Sequence, residues 1–129
     1  MKIEDFLGAS TNHVFTSELA SSLGPRKEQH HGDRSYAIYA RGGVELSVDP
    51  ALDIVKGVFI YPDRKRKPGF TGELPAGVTT SDTRDGLLAK LGEPDETLAS
   101  RWDTWERAAY KLRAEYASDG NLKMFVLMG

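Results

Sequence analysis

The amino-acid sequence predicts an α+β fold in which one unit, a helix followed by about three antiparallel strands, is written twice around a shared antiparallel sheet with the helices packed on one face. Two observations carry this expectation. Each half holds a helical apolar stripe that ends at a glycine with proline close behind, Leu23-Gly24-Pro25 in one and Leu91-Gly92-Glu93-Pro94 in the other. The segments that follow align without a gap. Tyr36 and Tyr39 stand 66 positions before Trp102 and Trp105, and the same offset sets Val44 on Tyr110, Leu46 on Leu112 and Phe59 on Phe125.

The first helix is expected over residues 12–23, in "GASTNHVFTSELASSLGP", where Phe15, Leu19 and Leu23 recur at i, i+4 and i+8 on one stripe. The second is expected over residues 81–91, in "GVTTSDTRDGLLAKLGEP", with Leu87, Leu88 and Leu91 as its stripe. Thr11 or Asn12, and Thr80 or Ser81, are the expected N-caps, since a side-chain oxygen there accepts an otherwise unpaired backbone N–H. Asp82 and Asp85 suit the positive end of the second helix. Gly24 and Gly92 suit the left-handed closing residue, and Pro25 and Pro94 cannot continue a helix.

Strands are expected within residues 36–61 and 101–128. "VELSVD" and "YKLRAEY" alternate apolar and polar residues, as strands with one buried face do. "DIVKGVFIY" and "NLKMFVLM" are more continuously apolar, as expected of strands covered on both faces. The turns are "DPALD" in one half and "ASDGN" in the other, and Asp-Gly is a strong hairpin signal. A repeat of this size buries too little apolar surface alone, so residues 1–129 are expected to form one domain: a first repeat (1–61), a connecting loop (62–76) and a second repeat (77–129). The connection lies in "YPDRKRKPGFTGELPAG", which holds three prolines and three glycines.

Composition narrows the function. Apolar residues make up 40% and charged residues 28% of the 129, a globular balance that argues against disorder. A net charge of −2 supplies no global field for nucleic acid or an anionic membrane. Cysteine is absent, which excludes disulfides and thiolate chemistry. "MKIEDFLGAS" is acidic where a signal peptide is basic, and no run approaches the roughly 20 apolar residues of a membrane span. A cytoplasmic protein that does not enter the membrane is expected.

A short helix ending in Leu-Gly and proline, followed by antiparallel strands, resembles the β-lactamase-inhibitor-protein-like fold. There a helical segment packs on a small antiparallel sheet, and the inhibitor itself is a tandem repeat. "GVTTSDTRDGLLAKLGEPD" is also similar to the Gly…Leu-Gly-x-Pro-Asp signature of small lipoproteins of the outer-membrane barrel-assembly machinery, although their lipobox cysteine is missing here. The wider arrangement "GGVELSVD…VFIYP…GFTGELPAGV…LGEP…W" resembles small cytoplasmic bacterial immunity proteins of polymorphic toxin systems. These resemblances imply a protein partner, a toxin or enzyme encoded beside this chain.

No reaction centre emerges from the residues. "QHHGD" (29–33) offers His30, His31 and Asp33, but adjacent histidines in an extended chain point apart, and the segment reads as a solvated loop. His13 reads as a surface residue near a helix start. A G-x-S-x-G elbow is absent, and "ARGGVEL" joins two strand patterns, so Arg41-Gly42-Gly43 reads as a hairpin turn and not a phosphate loop. No enzyme, cofactor or metal is expected. Arg64, Lys65, Arg66 and Lys67, near Tyr61 and Phe70, form the one hint of nucleic-acid binding, weighed against the acidic whole.

The remaining reading is a protein-binding module that occludes its partner. Trp102 and Trp105 are the expected anchors, beside Asp103 and Glu106, with Asp95 and Glu96 completing an acidic surface for a basic patch on the partner. Tyr110 and Tyr116, in phase with Leu112, are expected in the core. A small-ligand or structural domain is the alternative, followed by nucleic-acid binding through residues 64–67.

Overall fold

The computed structural model describes residues 1–129 and shows an α+β chain built on one open antiparallel sheet with few helices. Its eight strands are β1 Lys27–His31, β2 Arg34–Tyr39, β3 Val44–Asp49, β4 Ile54–Ile60, β5 Glu96–Leu98, β6 Trp102–Glu106, β7 Lys111–Tyr116 and β8 Leu122–Met128. Their order across the sheet is β1-β2-β3-β4-β8-β7-β6-β5, so two four-stranded meanders meet at β4 and β8. Three short helices, α1 Thr11–Phe15, α2 Glu18–Ser22 and α3 Arg84–Leu91, contribute buried side chains to a single core with the sheet. No helix is long and apolar enough to cross a membrane.

Alternation along the strands builds the core as two rows of paired residues. One row runs Ala37, Leu46, Val58, Leu127, Leu112, Trp105 from β2 to β6; the other runs Tyr39, Val44, Ile60, Phe125, Ala114, Asp103. Every member of both rows is at least 98% buried. Against these rows pack Ile3, Phe6, Val14, Ala20, Leu23, Leu87 and Leu91 from the helical segments, Phe70 and Leu74 from the connection, and Val78 just after it. The connection is therefore a cover for the sheet as well as a link.

Each half has four strands where about three were expected. β1 includes the first three residues of "QHHGD", which turns only at Gly32 and Asp33, and β5 forms in the segment after α3. Both are sheet edges, short or charged, a form that discourages edge-to-edge pairing. β4 and β8 are continuously apolar for another reason than two-sided cover. They are the central pair, and the face opposite the core, where Val126 is 6% exposed and Phe59 half-buried, takes no part in the cluster to which the helices contribute.

The uniform offset of 66 does not survive in the register. Interchanging the two rows equates Ala37 with Asp103, Leu46 with Ala114 and Val58 with Phe125, offsets of 66, 68 and 67. Phe59 pairs with Val126 on the open side, whereas Phe125 pairs with Ile60 in the core, so Phe59 and Phe125 lie on opposite faces. The drift arises in hairpins of unequal length: six residues separate the paired Trp105 and Leu112, but four separate Tyr39 and Val44.

The first helix also departs from expectation, breaking at Thr16-Ser17. Ser17 has extended backbone, its Oγ accepts from Ala20 N at 3.1 Å and donates to Val14 O at 2.6 Å, and Thr16 Oγ1 donates to Asn12 O at 2.8 Å. Hydroxyls that bond the local backbone compete with helix continuation. The break turns Val14, Ala20 and Leu23 inward and leaves Phe15 and Leu19 half-buried. The N-caps are Ser10, Ser17 and Thr83. Thr11 instead donates to Asp53 Oδ1 at 2.7 Å, tying α1 to the β3–β4 turn. Gly24 and Gly92 close their helices with φ of +87° and +81°.

Candidate binding face

The pleat that sends one set of side chains to the core sends the other set to a face without covering helix or loop elements among the named structure. One row there reads Ile38, Glu45, Phe59, Val126, Arg113, Thr104, Glu96; its neighbour includes Tyr36, Met128, Lys111 and Glu106. Near the β5 edge, Trp102 lies between Leu98 and Glu115 on the same face. The Arg113 guanidinium stacks over the Trp102 ring at 4.1 Å, and its Nε donates to Thr104 Oγ1 at 3.2 Å. Leu98 is 47% exposed. The result is an aromatic and aliphatic band set among charges of both signs.

The six expected partner-binding residues divide between the two sides of the sheet. Trp102 is half-buried on the open face, with Glu96 and Glu106 exposed on that face. Glu106 Oε1 lies 3.1 Å from Lys111 Nζ. Asp95 is exposed just before β5, where its Oδ2 accepts from Glu106 N at 2.7 Å. Trp105 and Asp103 correct the expectation. Trp105 is 0% exposed, its indole Nε1 donating to Gly92 O at 2.9 Å, and Asp103 is 1% exposed. Period-two alternation decides this, because Trp102, Thr104 and Glu106 share one parity and Asp103 and Trp105 the other.

Asp103 is held by partners the sequence reading did not assign. Arg84 Nε and Nη2 donate to its two oxygens at 2.9 and 3.4 Å, Thr97 Oγ1 at 2.7 Å and the Tyr116 hydroxyl at 2.8 Å. Burial pushes the carboxyl pKa up, but the hydrogen bonds from Arg84, Thr97 and Tyr116 and the charge of Arg84 outweigh it, and the net shift is downward. Burial first, then the bond to Asp103, pushes Tyr116 far above its ordinary value. The signal in the sequence was an aspartate in phase with Trp105, since an inward carboxylate requires donors.

Elsewhere the polar groups remain dispersed. His30 Nδ1 lies 2.8 Å from Ser35 Oγ on the core side, while His31 lies on the other side with its ring centroid 6.2 Å from that of Tyr36. No carboxylate hydrogen-bonds the His30 ring, so the pair lacks the third group that orients a base toward a nucleophile. No cluster of three or more His, Cys, Asp or Glu converges on a metal position. The basic run turns back on itself through Arg64–Lys67 backbone hydrogen bonds, and the Arg64 guanidinium stacks 4.0 Å over Tyr61. No protein-family model, curated protein or solved structure matches the chain at a significant level.

Proposed function

We propose that the protein is a protein-binding module, an immunity or inhibitor protein that neutralises a toxin or enzyme by stoichiometric occlusion. The observation that carries this reading is the open sheet face, where half-buried Trp102 stands beside exposed Leu98. Aromatic residues set in partly apolar surroundings dominate binding energetics, and a rim of charges tunes approach. A sheet of eight paired strands presents such a face with little ordering cost, because its backbone is already fixed by the ladder. The acidic contribution comes from Asp95, Glu96 and Glu106, which suits a basic patch on the partner.

The two four-stranded meanders fit a tandem duplication only if hairpin lengths have drifted, since Phe59 and Phe125 lie on opposite faces, and the sequence resemblance to inhibitor and immunity proteins favours the occlusion reading. The test is co-purification with the product of the neighbouring gene, followed by titration of Trp102→Ala and Glu106→Gln variants that remain folded. A loss above about 2 kcal/mol in Trp102→Ala supports an anchor at this position. A second reading is favoured by the stack of Arg64 on Tyr61 within the basic run. If no neighbour binds, and the chain retains RNA with a steep salt dependence that Arg64→Ala weakens, nucleic-acid binding replaces occlusion.

A further inference from the structure

On the helical side of the sheet a hollow of about 230 Å³ lies between α1 and the β1–β2 edge. Phe15, Ala37 and Val48 belong to the apolar part of its lining, the hydrogen-bonded His30 and Ser35 stand in the same wall, and two carboxylates, Glu28 and Asp53, border it. Strand pairing identifies what stands at the same place in the other half. Glu28 pairs with Ala37 as Thr97 pairs with Asp103, and Val48 follows Leu46 by two as Tyr116 follows Ala114. There the space is filled: the Tyr116 ring and the Asp103 carboxylate occupy it, and the Arg84 guanidinium closes on that carboxylate. Here alanine and valine replace the two filling side chains, Glu28 stands where the other half has Thr97, and the guanidinium nearby, that of Arg26, stays at the rim.

Neither carboxylate has a basic hydrogen-bonding partner. Asp53 Oδ1 accepts from Thr11, which carries no charge. Arg26 stands at the rim, its guanidinium stacked 3.8 Å over Phe15 and its Nε 3.8 Å from Glu28 Oε1, beyond hydrogen-bond length. A partly apolar wall with two carboxylates at its border matches a ligand that carries a cation on a short hydrocarbon stem.

We propose that this hollow binds a guanidinium or alkylammonium group on a short apolar stem, supplied by a free amine or by an arginine or lysine side chain. The probes are agmatine, N-acetylarginine methylamide and neutral butylurea, each titrated into the full-length protein and followed by amide chemical shifts. Agmatine should give saturable shifts at Thr11, Ala37 and Val48 with millimolar affinity, and butylurea should not. Glu28→Gln should weaken agmatine about fivefold, the upper end for an exposed charge pair, while Glu73→Gln leaves it unchanged. Val48→Tyr, which copies the filled half, should abolish binding in a protein with native spectral dispersion. Glu28 is exposed, so its variant carries the test if Val48→Tyr does not fold. Binding of both cations supports a side chain of a partner as ligand, and binding of agmatine alone supports a free amine. Absence of saturable shifts, equal binding of butylurea, or agmatine binding unchanged by Glu28→Gln would overturn the proposal. That failure would leave the open-face reading intact, because the hollow lies at the β1–β2 edge and Trp102 beside the β5 edge, at opposite ends of the sheet.

Discussion

Asp103 Oδ2 accepts a 2.8 Å hydrogen bond from the Tyr116 hydroxyl and a 2.9 Å hydrogen bond from Arg84 Nε, joining the end of one core row to the first residue of α3. The two donors differ in what they lose if the carboxylate is removed. The Arg84 side chain is 49% exposed and rehydrates in place, whereas the Tyr116 hydroxyl is buried and does not. Asp103→Ala should therefore cost about 2–3 kcal/mol, near the penalty for one orphaned buried group together with lost charged hydrogen bonds. Urea melts of the two proteins at neutral pH measure it.

The same carboxylate makes stability fall in acid. Its folded pKa is depressed, so the unfolded state binds protons first as pH drops below about 3.9, and the stabilisation is lost as pH falls through the folded value. Asp103→Asn should flatten this part of the acid limb. In Arg84→Ala, burial acts with less opposition, and carboxyl NMR titration should place Asp103 higher than in the parent.

At the alkaline end the sign reverses. The folded pKa of Tyr116 is raised, chiefly by burial and then by Asp103, and that of Tyr61 by burial and then by Glu45. Both contributions are complete below about pH 10 and diminish above it, where the unfolded tyrosines ionise first. Tyr116→Phe should reduce the drop in stability between about pH 10 and 12 more than Tyr61→Phe, as read from denaturant midpoints.

The two tryptophans should separate cleanly. Trp105→Ala empties a fully buried site and should cost about 3–5 kcal/mol, whereas Trp102→Ala should cost clearly less. Acrylamide should quench a Trp105→Phe protein, which retains only Trp102, more strongly than a Trp102→Phe protein. Equal quenching would show that the indoles do not lie on opposite faces.

Two glycines with left-handed backbone give a paired test. A Cβ on Gly43 would meet Phe70 N at 2.4 Å and Gly69 C at 2.7 Å, both backbone atoms, at φ +67°. A Cβ on Gly120, at φ +87°, meets nothing within 4 Å. Gly120→Ala should cost about 1 kcal/mol from backbone strain alone, and Gly43→Ala at least twice that, because the connection must move off the β2–β3 turn.

Local chemistry in the chain determined a good deal. Alternation in "VELSVD" and "YKLRAEY" placed β3 and β7, Gly24 and Gly92 marked helix ends, and Leu23, Leu87 and Leu91 were legible as buried positions. These features depend on neighbours within a few residues. The tertiary structure decided the rest. Whether β4 and β8 are covered on one face or two depends on which strands pair in the centre, which continuous apolar runs do not encode. The charged segment of β1 is a strand because β2 offers it a ladder, not because its residues favour one. The side on which Trp102 and Trp105 fall follows from alternation, but which side is core required the packing of α3 and the connection. The place of Asp103 required Arg84, 19 positions away, to reach its carboxylate. Hairpin lengths set the register, and a one-residue change reversed the face of Phe59 relative to Phe125, because successive side chains in a strand point to opposite sides.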